Sequence, residues 1–468
     1  MNRILSNQLD SRVDENVVIA GWLQTKRSHG KILFFDVRDR AGITQVIFLP
    51  GFKDFEKAQA LPIESVVEIT GTVVKRPQKL VNENIGSGNI EIQAHELNII
   101  STANQLPFDL NDTQSISEET RLKYRYLDLR SPRMKSNVIA RSRIYQFVID
   151  YLAANDFIYI QTPLLSKSTP EGARDYLVPS RKHLNKFFAL PQSPQQYKQL
   201  LMVAGMERYF QISPCFRDED SRADRSPGEF YQIDMEMSFV TQDDILNITE
   251  DMFCSMIKKL YPDKKITLQP FPRLKYDEVI KRYGTDKPDL RKNKDDSDEL
   301  AFAWIVDFPL FTKQSQDDFF HGSGKSAFAP SHHMFTAPKT EDIQLLDTDP
   351  SKARAYQHDL VLNGVEVGGG SIRIHDPKIQ QKIWDLIGFS NDQKEQFKHL
   401  IEAFKFGVPP HGGIAPGFDR IIAILQNEKN IREVIAFPLN GEARDLLMDA
   451  PSSVNDDQLK ELKIKTVK

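Results

Sequence analysis

Five short runs of β-branched and aromatic residues fill the first hundred positions of this chain, at 17–23, 31–37, 43–49, 66–73 and 90–100. Gly21, Gly30, Gly42, Gly71 and Gly88 punctuate them, and glycine breaks between β-rich runs mark strands joined by turns. Five strands within residues 1–105 fit the OB barrel, whose exposed face binds oligonucleotides; another small β-barrel would fit the same pattern. The rest of the chain obeys different rules. Strands and helices mix there without the regular alternation of a parallel βαβ sheet, which predicts an α+β domain over 133–468.

A chain of 468 residues exceeds one ordinary core, so two or three domains are expected. Hydrophobic residues at 40% and charged residues at 27% exclude a disordered polypeptide. The formal net charge of −4 excludes a globally basic protein, so an RNA partner would need a local basic face. No apolar run approaches the ~20 residues that span a bilayer. The polar start, 1–10, lacks a signal-peptide core, and a cytoplasmic protein without membrane contact is expected. Cys215 and Cys254 form no CxxC pair, which excludes a disulfide framework and a thiolate zinc site. Both read as small buried hydrophobes.

The polar stretch 106–132 reads as a hinge. Its later part, 121–130, interleaves basic and aromatic residues; it fits a nucleic-acid backbone contact and, equally, a packed linker helix. From Val138 the apolar residues Ile144, Phe147, Val148, Tyr151 and Leu152 recur at helical spacing until Asn155 and Asp156 end the run. A short strand, 157–160, then meets Pro163. The charged run 291–299 reads as a solvated linker within 286–300.

Two arginines carry the chemistry. Arg217 lies in Cys215-Phe216-Arg217-Asp218-Glu219-Asp220, ahead of the strand-like run Phe230 to Glu236. Arg420 closes Gly417-Phe418-Asp419-Arg420 and opens an apolar helix. A guanidinium presents a fixed fork of donors that suits phosphate oxygens. One Arg–acid frame is usually a surface ion pair, but two at the edges of apolar elements are much rarer. Together they resemble motifs 2 and 3 of class II aminoacyl-tRNA synthetases, and the helix, strand and proline of 138–163 resemble motif 1, the dimer element. The stretch 189–199 and the block 359–373 narrow the resemblance to the aspartyl branch of class IIb.

That resemblance implies ATP and L-aspartate as substrates, Mg²⁺ as cofactor, tRNA(Asp) as acceptor and a homodimer. Arg217, Glu219 and Arg420 would be catalytic. Arg217 would pair with the α-phosphate, Glu219 with the adenine amino group, and Phe230 would stack on the ring. Asp218, Ser226, Gly417 and Phe418 would complete the nucleotide site, with Asp419 orienting Arg420 toward the γ-phosphate. Asp359 and Glu366 lie seven apart; in a strand–turn–strand both would face one Mg²⁺, a hard ion that shares carboxylate and phosphate oxygens. Lys198 and Arg373 would hold the substrate's side-chain carboxylate beside His332 and His333. Ser193, Gln195, Gln232 and Asp234 would hold its α-amino end, under a lid bearing Glu171. An asparaginyl enzyme is opposed by that cation pair, because an amide would leave a buried charge uncompensated. A non-catalytic OB-fold RNA-binding paralogue would be expected to have lost Arg217, Glu366 or Arg420.

Two departures from the family stand out. After Arg225 the family continues Gln-Pro-Glu-Phe, whereas here Ser226-Pro227-Gly228-Glu229-Phe230 inserts one residue and places serine where glutamine contacts ATP. Bacterial members also carry an inserted domain between the counterparts of 287–291 and 301–309, which about ten residues bridge here. In the first domain, Arg27, His29, Phe34 and Gln45 fall on the family's anticodon strand and loop. Phe34 would stack on a base, while Phe35 would belong to the barrel core. Histidine at position 29 is frequent in members that also charge tRNA(Asn), so a non-discriminating enzyme is expected.

Overall fold

The computed structural model describes residues 2–83, 85–219, 228–314 and 326–466. It divides into two compact units, Met1–Asp109 and Leu110–Lys468. In the first, strands β1 (Asn16–His29), β2 (Ile32–Arg38), β3 (Ile43–Phe48), β4 (Val66–Lys75) and β5 (Ile90–Ser101) close a barrel in the order β1-β2-β3-β5-β4. Along β2, Leu33, Phe35 and Val37 point inward and Phe34 and Asp36 outward, as the two-residue period of a strand requires. Phe35 packs edge-on against Phe48 at 4.7 Å. Burying each such side chain contributes roughly 1.5–3 kcal/mol. Strand β1 runs on to His29, past the predicted end at residue 23. Its second half is polar and exposed, yet Thr25 to His29 pair with β2 after a register shift at Gln24. Hydrophobic alternation cannot report a strand that backbone pairing alone extends.

The second unit is built on an eight-stranded sheet. Its strands are β6 (Ile158–Tyr159), β7 (Arg208–Arg217), β8 (Gly228–Ser238), β9 (Arg273–Lys275), β10 (Phe302–Val306), β11 (Gln357–Leu362), β12 (Val365–Ile372) and β13 (His411–Pro416). They lie in the order β9-β10-β11-β12-β13-β8-β7-β6. The six central strands are antiparallel, as expected, but both edge strands pair in parallel, which makes the sheet mixed. Helices α1 (Pro132–Ala154), α2 (Gln195–Val203), α3 (Gln242–Leu260) and α4 (Phe418–Leu425) flank it. Helix α1 starts six residues ahead of the apolar period because Ser131 caps it and Pro132 occupies its first position. Its face Ile144, Phe147, Val148 and Leu152 joins Ile245, Met252 and Phe253 of α3 and Ile233, Met235 and Met237 of β8 in one core.

The stretch left open above is packed. Arg121 and Arg125 are buried; Arg121 donates two bonds to Glu433, at 2.7 and 2.8 Å. Arg125 donates to Asp128 and to the carbonyls of Arg432, Ile435 and Ala436. Arg133 completes the network on Glu428 and Glu433. These cations are engaged within the protein. No described helix is long and apolar enough to cross a membrane.

Candidate active site

Alternation along β8 creates the floor of a cleft of about 390 Å³. Ile233, Met235 and Met237 enter the core, so Gln232, Asp234 and Glu236 occupy the opposite face of the sheet. Two buried cations meet these acids. Lys198 of α2 donates to Asp234 Oδ1 at 2.6 Å and lies 3.5 Å from Glu236 Oε2. Arg373, just past β12, donates from Nε and Nη2 to Glu236 at 2.9 and 3.1 Å, and from Nη1 to Ser371 at 2.7 Å. Burial alone would raise the pKa of Glu236, but Arg373 and Lys198 more than offset it and leave it lowered. At Asp234 burial wins over Lys198 and the pKa is raised. Asp234 Oδ2 is buried with no hydrogen-bond partner among the described residues. A buried acceptor without a donor is costly, so this oxygen is suited to receive a ligand's cation.

Closer to the mouth, Arg217 ends β7 with its guanidinium 5.0 Å from the centre of the Phe230 ring. Its Nε is buried and unpartnered among the described residues. Arg420, in the first turn of α4, donates to the Glu366 carbonyl at 2.9 Å. The expected partner for its orientation, Asp419, accepts instead from Arg141 and from the Tyr231 N–H. Phe418 was expected at the nucleotide, and its side chain does not line the cleft. It is 1% exposed, packs in the core and faces Tyr145 and Arg141, so it fixes the helix start from behind. Asp218 is exposed, with its N–H bonded to the Arg174 carbonyl, and its side chain does not line the cleft; Glu219 does. Ser226 lies outside the described residues. Ser193, Gln195, Gln232, His332, His333, Gly417 and Glu171 all line the cleft. Glu171 accepts from Gln196 at 2.5 Å and Thr169 at 2.8 Å, and burial raises its pKa.

The two predicted metal ligands converge on Gly369. A Cβ there would meet Asp359 Oδ1 and His332 Cε1 at 3.2 Å and Glu366 Oε1 at 3.8 Å, so a side chain at this position would crowd Asp359 and His332. Burial, then the charge of Glu366, raises the Asp359 pKa well above the carboxylate range. His332 lies open to the cleft, yet desolvation by its walls, followed by Arg373, lowers its pKa to about 4. His333 stacks on Phe335, whose N–H donates to Nδ1 at 3.4 Å. Its proton therefore sits on Nε2, which has no partner among the described residues.

A family model described as tRNA synthetases class II (D, K and N) matches residues 117–441, and one described as an OB-fold nucleic acid binding domain matches residues 17–100. The chain belongs to the class II tRNA synthetases. It is 41% identical to the aspartate–tRNA(Asp/Asn) ligase of Chlorobium phaeovibrioides, covering 96% of this chain and 94% of that one. The enzyme of that name from Thermoanaerobacter pseudethanolicus is 41% identical, with 97% and 96% covered. These alignments extend over 575 and 580 positions against a chain of 468 residues, so the relatives carry segments without a counterpart here. Among solved structures, the asparaginyl-tRNA synthetase from Pyrococcus horikoshii complexed with asparaginyl-adenylate superposes with a TM-score of 0.75 at 21% identity, covering 94% of this chain and 98% of that one. A putative aspartyl-tRNA synthetase from Leishmania major Friedlin gives 0.74 at 21%, with 93% and 94% covered. Both likenesses concern the fold.

Within this synthetase, pattern reading passed over three residues. Glu236 holds both Lys198 and Arg373, but a glutamate in a strand-like run carries no signal of its own until β8 is seen to alternate. Gln192 bonds both the N–H and the carbonyl of Ala173 and reaches Asp175, fixing the loop that bears Glu171. Arg141 reaches Asp419 from α1, 278 residues away. A Cβ at Gly413 would lie 1.9 Å from the Met235 carbonyl and 2.3 Å from Glu236 Oε2, so glycine here lets β13 lie against β8 and leaves room for the buried acid. The donor set fits Mg²⁺. Among the described residues no group of three or more His, Cys, Asp or Glu could cage a metal, and Mg²⁺ characteristically takes one or two carboxylates and fills its shell with water and phosphate oxygens.

Proposed function

We propose that this synthetase forms aspartyl-adenylate and pyrophosphate from L-aspartate and ATP, then transfers aspartate to the 3′-terminal hydroxyl of tRNA(Asp) and of tRNA(Asn). The observation that carries the substrate reading is the buried Asp234 Oδ2, without a hydrogen-bond partner among the described residues, beside Lys198 and Arg373. An α-ammonium satisfies the first and a side-chain carboxylate the other two. The Nε2–H of His333 supplies one more donor for that carboxylate.

In the first step a carboxylate oxygen of aspartate attacks the α-phosphorus, and the bond to the bridging oxygen of pyrophosphate breaks. Charge builds on the α-phosphate oxygens. Arg217, whose Nε has no partner among the described residues, is preplaced to meet it, and a preorganised cation lowers such a barrier without covalent catalysis. Arg420 holds the far end of the triphosphate, and Glu219 and Phe230 receive the adenine. Asp359 and Glu366 would hold Mg²⁺, which would supply positive charge to offset that of the phosphates. In the second step the tRNA hydroxyl attacks the aspartyl carbonyl and AMP leaves. The Glu171 loop closes over the amino acid meanwhile.

The tRNA(Asn) part rests on His29 in the barrel unit and on the names of the relatives. His29 is exposed, 6.2 Å from the Phe34 ring in an edge-on arrangement. Arg27 donates to Asp36 and Gln45, and Gln45 to Glu91, which presents a polar, partly aromatic surface to a splayed single strand. We place the enzyme in the cytoplasm as a homodimer. Aspartate-dependent exchange of pyrophosphate into ATP tests the central reading. Exchange that asparagine or lysine drives as well as aspartate would overturn it.

A further inference from the structure

Lys287 belongs to none of the roles assigned above, yet it lines the same cleft. Its Nζ lies 3.1 Å from Glu366 Oε2, on the carboxylate that would take the metal. Arg420 binds the carbonyl of that same residue, so two cations converge on Glu366 from separate parts of the chain. The lysine's base is fixed. Its N–H donates to Thr285 Oγ1 at 3.2 Å, and Pro288, which follows it, narrows the backbone conformations open to it. Asp289 then seats against the turn between β11 and β12: a Cβ at Gly364 would lie 3.2 Å from Asp289 Cβ. Arg291 clamps Asp289 at 2.8 and 3.1 Å. The short bridge beyond it closes on Glu299, which accepts from the N–H groups of Lys292 and Asn293. A rigid anchor thus carries a flexible four-carbon arm.

The pair at the tip of that arm is loose. The side chains of Lys287 and Glu366 retain 42% and 32% exposure, and ion pairs so open to water contribute little. An incoming divalent ion would outcompete a lysine at Glu366, and the released ammonium would find the β- and γ-phosphate oxygens that arrive with it. We propose that Lys287 is a polyphosphate-binding residue that rests on Glu366 in the empty cleft and moves onto the leaving pyrophosphate when nucleotide and metal bind. The inference rests on the adenylate-forming reading above. It gives this enzyme a second cation for the leaving group, beside Arg420, and one whose release is tied to metal arrival.

The test compares wild type, Lys287→Met and Lys287→Arg. Calorimetry with magnesium pyrophosphate should show about tenfold weaker binding to Lys287→Met, the loss of one charged contact, with most affinity restored in Lys287→Arg. Titration with Mn²⁺ alone, followed by electron paramagnetic resonance, should show tighter binding to Lys287→Met, because the resident competitor is gone. The aspartate KM should stay unchanged. Unaltered pyrophosphate affinity in Lys287→Met would overturn the proposal, as would weaker Mn²⁺ binding or a matching rise in the aspartate KM. Failure of the parent reading looks different: wild type would then show no aspartate-dependent exchange at all.

Discussion

Lys198 and Arg373 share one counter-ion, Glu236, which Arg373 grips through both carboxylate oxygens while Lys198 leans on one of them and bonds Asp234 with its shortest contact. All four groups are buried. Two acids balance two cations in this cluster, and an incoming zwitterion with one extra carboxylate adds a net negative charge beside donors already oriented. Lys198→Ala or Arg373→Ala should therefore weaken aspartate by ~2–5 kcal/mol, the scale for truncating one partner of a desolvated charged pair. ATP affinity should change little. Equilibrium binding of each substrate separates the two, and near-normal aspartate affinity in either variant would remove both residues from the pocket.

Arg217 differs from those cations because its Nε has no partner among the described residues and its plane approaches the Phe230 ring. Both features need a planar guanidinium. Arg217→Lys keeps the charge but loses the fork, and single-turnover adenylate formation should fall by roughly 10²–10³-fold, as when one preorganised donor is removed. tRNA binding through the barrel should persist. If adenylate formation and tRNA binding dropped together, the variant would be reporting misfolding.

How much of this was readable beforehand depends on how local each signal is. The five barrel strands announced themselves because runs of β-branched and aromatic residues are broken by glycines, and Arg217, Asp234, Lys198 and Arg373 stood in short frames that travel together. Phe418 misled because a residue flanked by Gly417 and Asp419 in a loop frame carries no mark of which way its ring points; α4 turns it into the core. Glu236 and Arg141 act through partners 137 and 278 residues away, and no spacing in one sequence encodes such pairs. The stretch 121–130 was ambiguous for the same reason. Arg121 and Arg125 suit RNA until Glu433, 312 residues from Arg121, and the carbonyls of Arg432, Ile435 and Ala436 are seen to engage them.

That ion cluster makes a pH prediction. Burial would raise the pKa of Glu433, but Arg121 and Arg133 override it and bring it to about 2, from 4.5. A depressed carboxylate stabilises the fold fully above its unfolded pKa and loses that contribution as pH falls through the folded one. The difference corresponds to roughly 3 kcal/mol at neutral pH. Glu433→Gln should thus lower Tm clearly at pH 7, and the gap to wild type should narrow between about pH 5 and pH 2. A gap that stayed constant across that range would show that the loss is one of packing and not of charge.

The choice of tRNA can be tested at one side chain of the barrel. His29 ends β1, opposite Ile32, and faces Phe34 edge-on, while Phe35 is fully buried. Successive residues of β2 thus divide the labour: one ring holds the core and the other is left for a base. Stacking of one base contributes ~1–3 kcal/mol, so Phe34→Ala should weaken charging of tRNA(Asp) and tRNA(Asn) alike by that amount. His29 acts on the difference between them. The two tRNAs differ at the last anticodon base, and a histidine offers ring donors and acceptors where leucine offers only an apolar surface. Wild type should charge both transcripts, and His29→Leu should shift kcat/KM toward tRNA(Asp) by about tenfold or more. A thousandfold preference for tRNA(Asp) in the wild type, unmoved by the substitution, would remove His29 from the decision and with it the dual specificity.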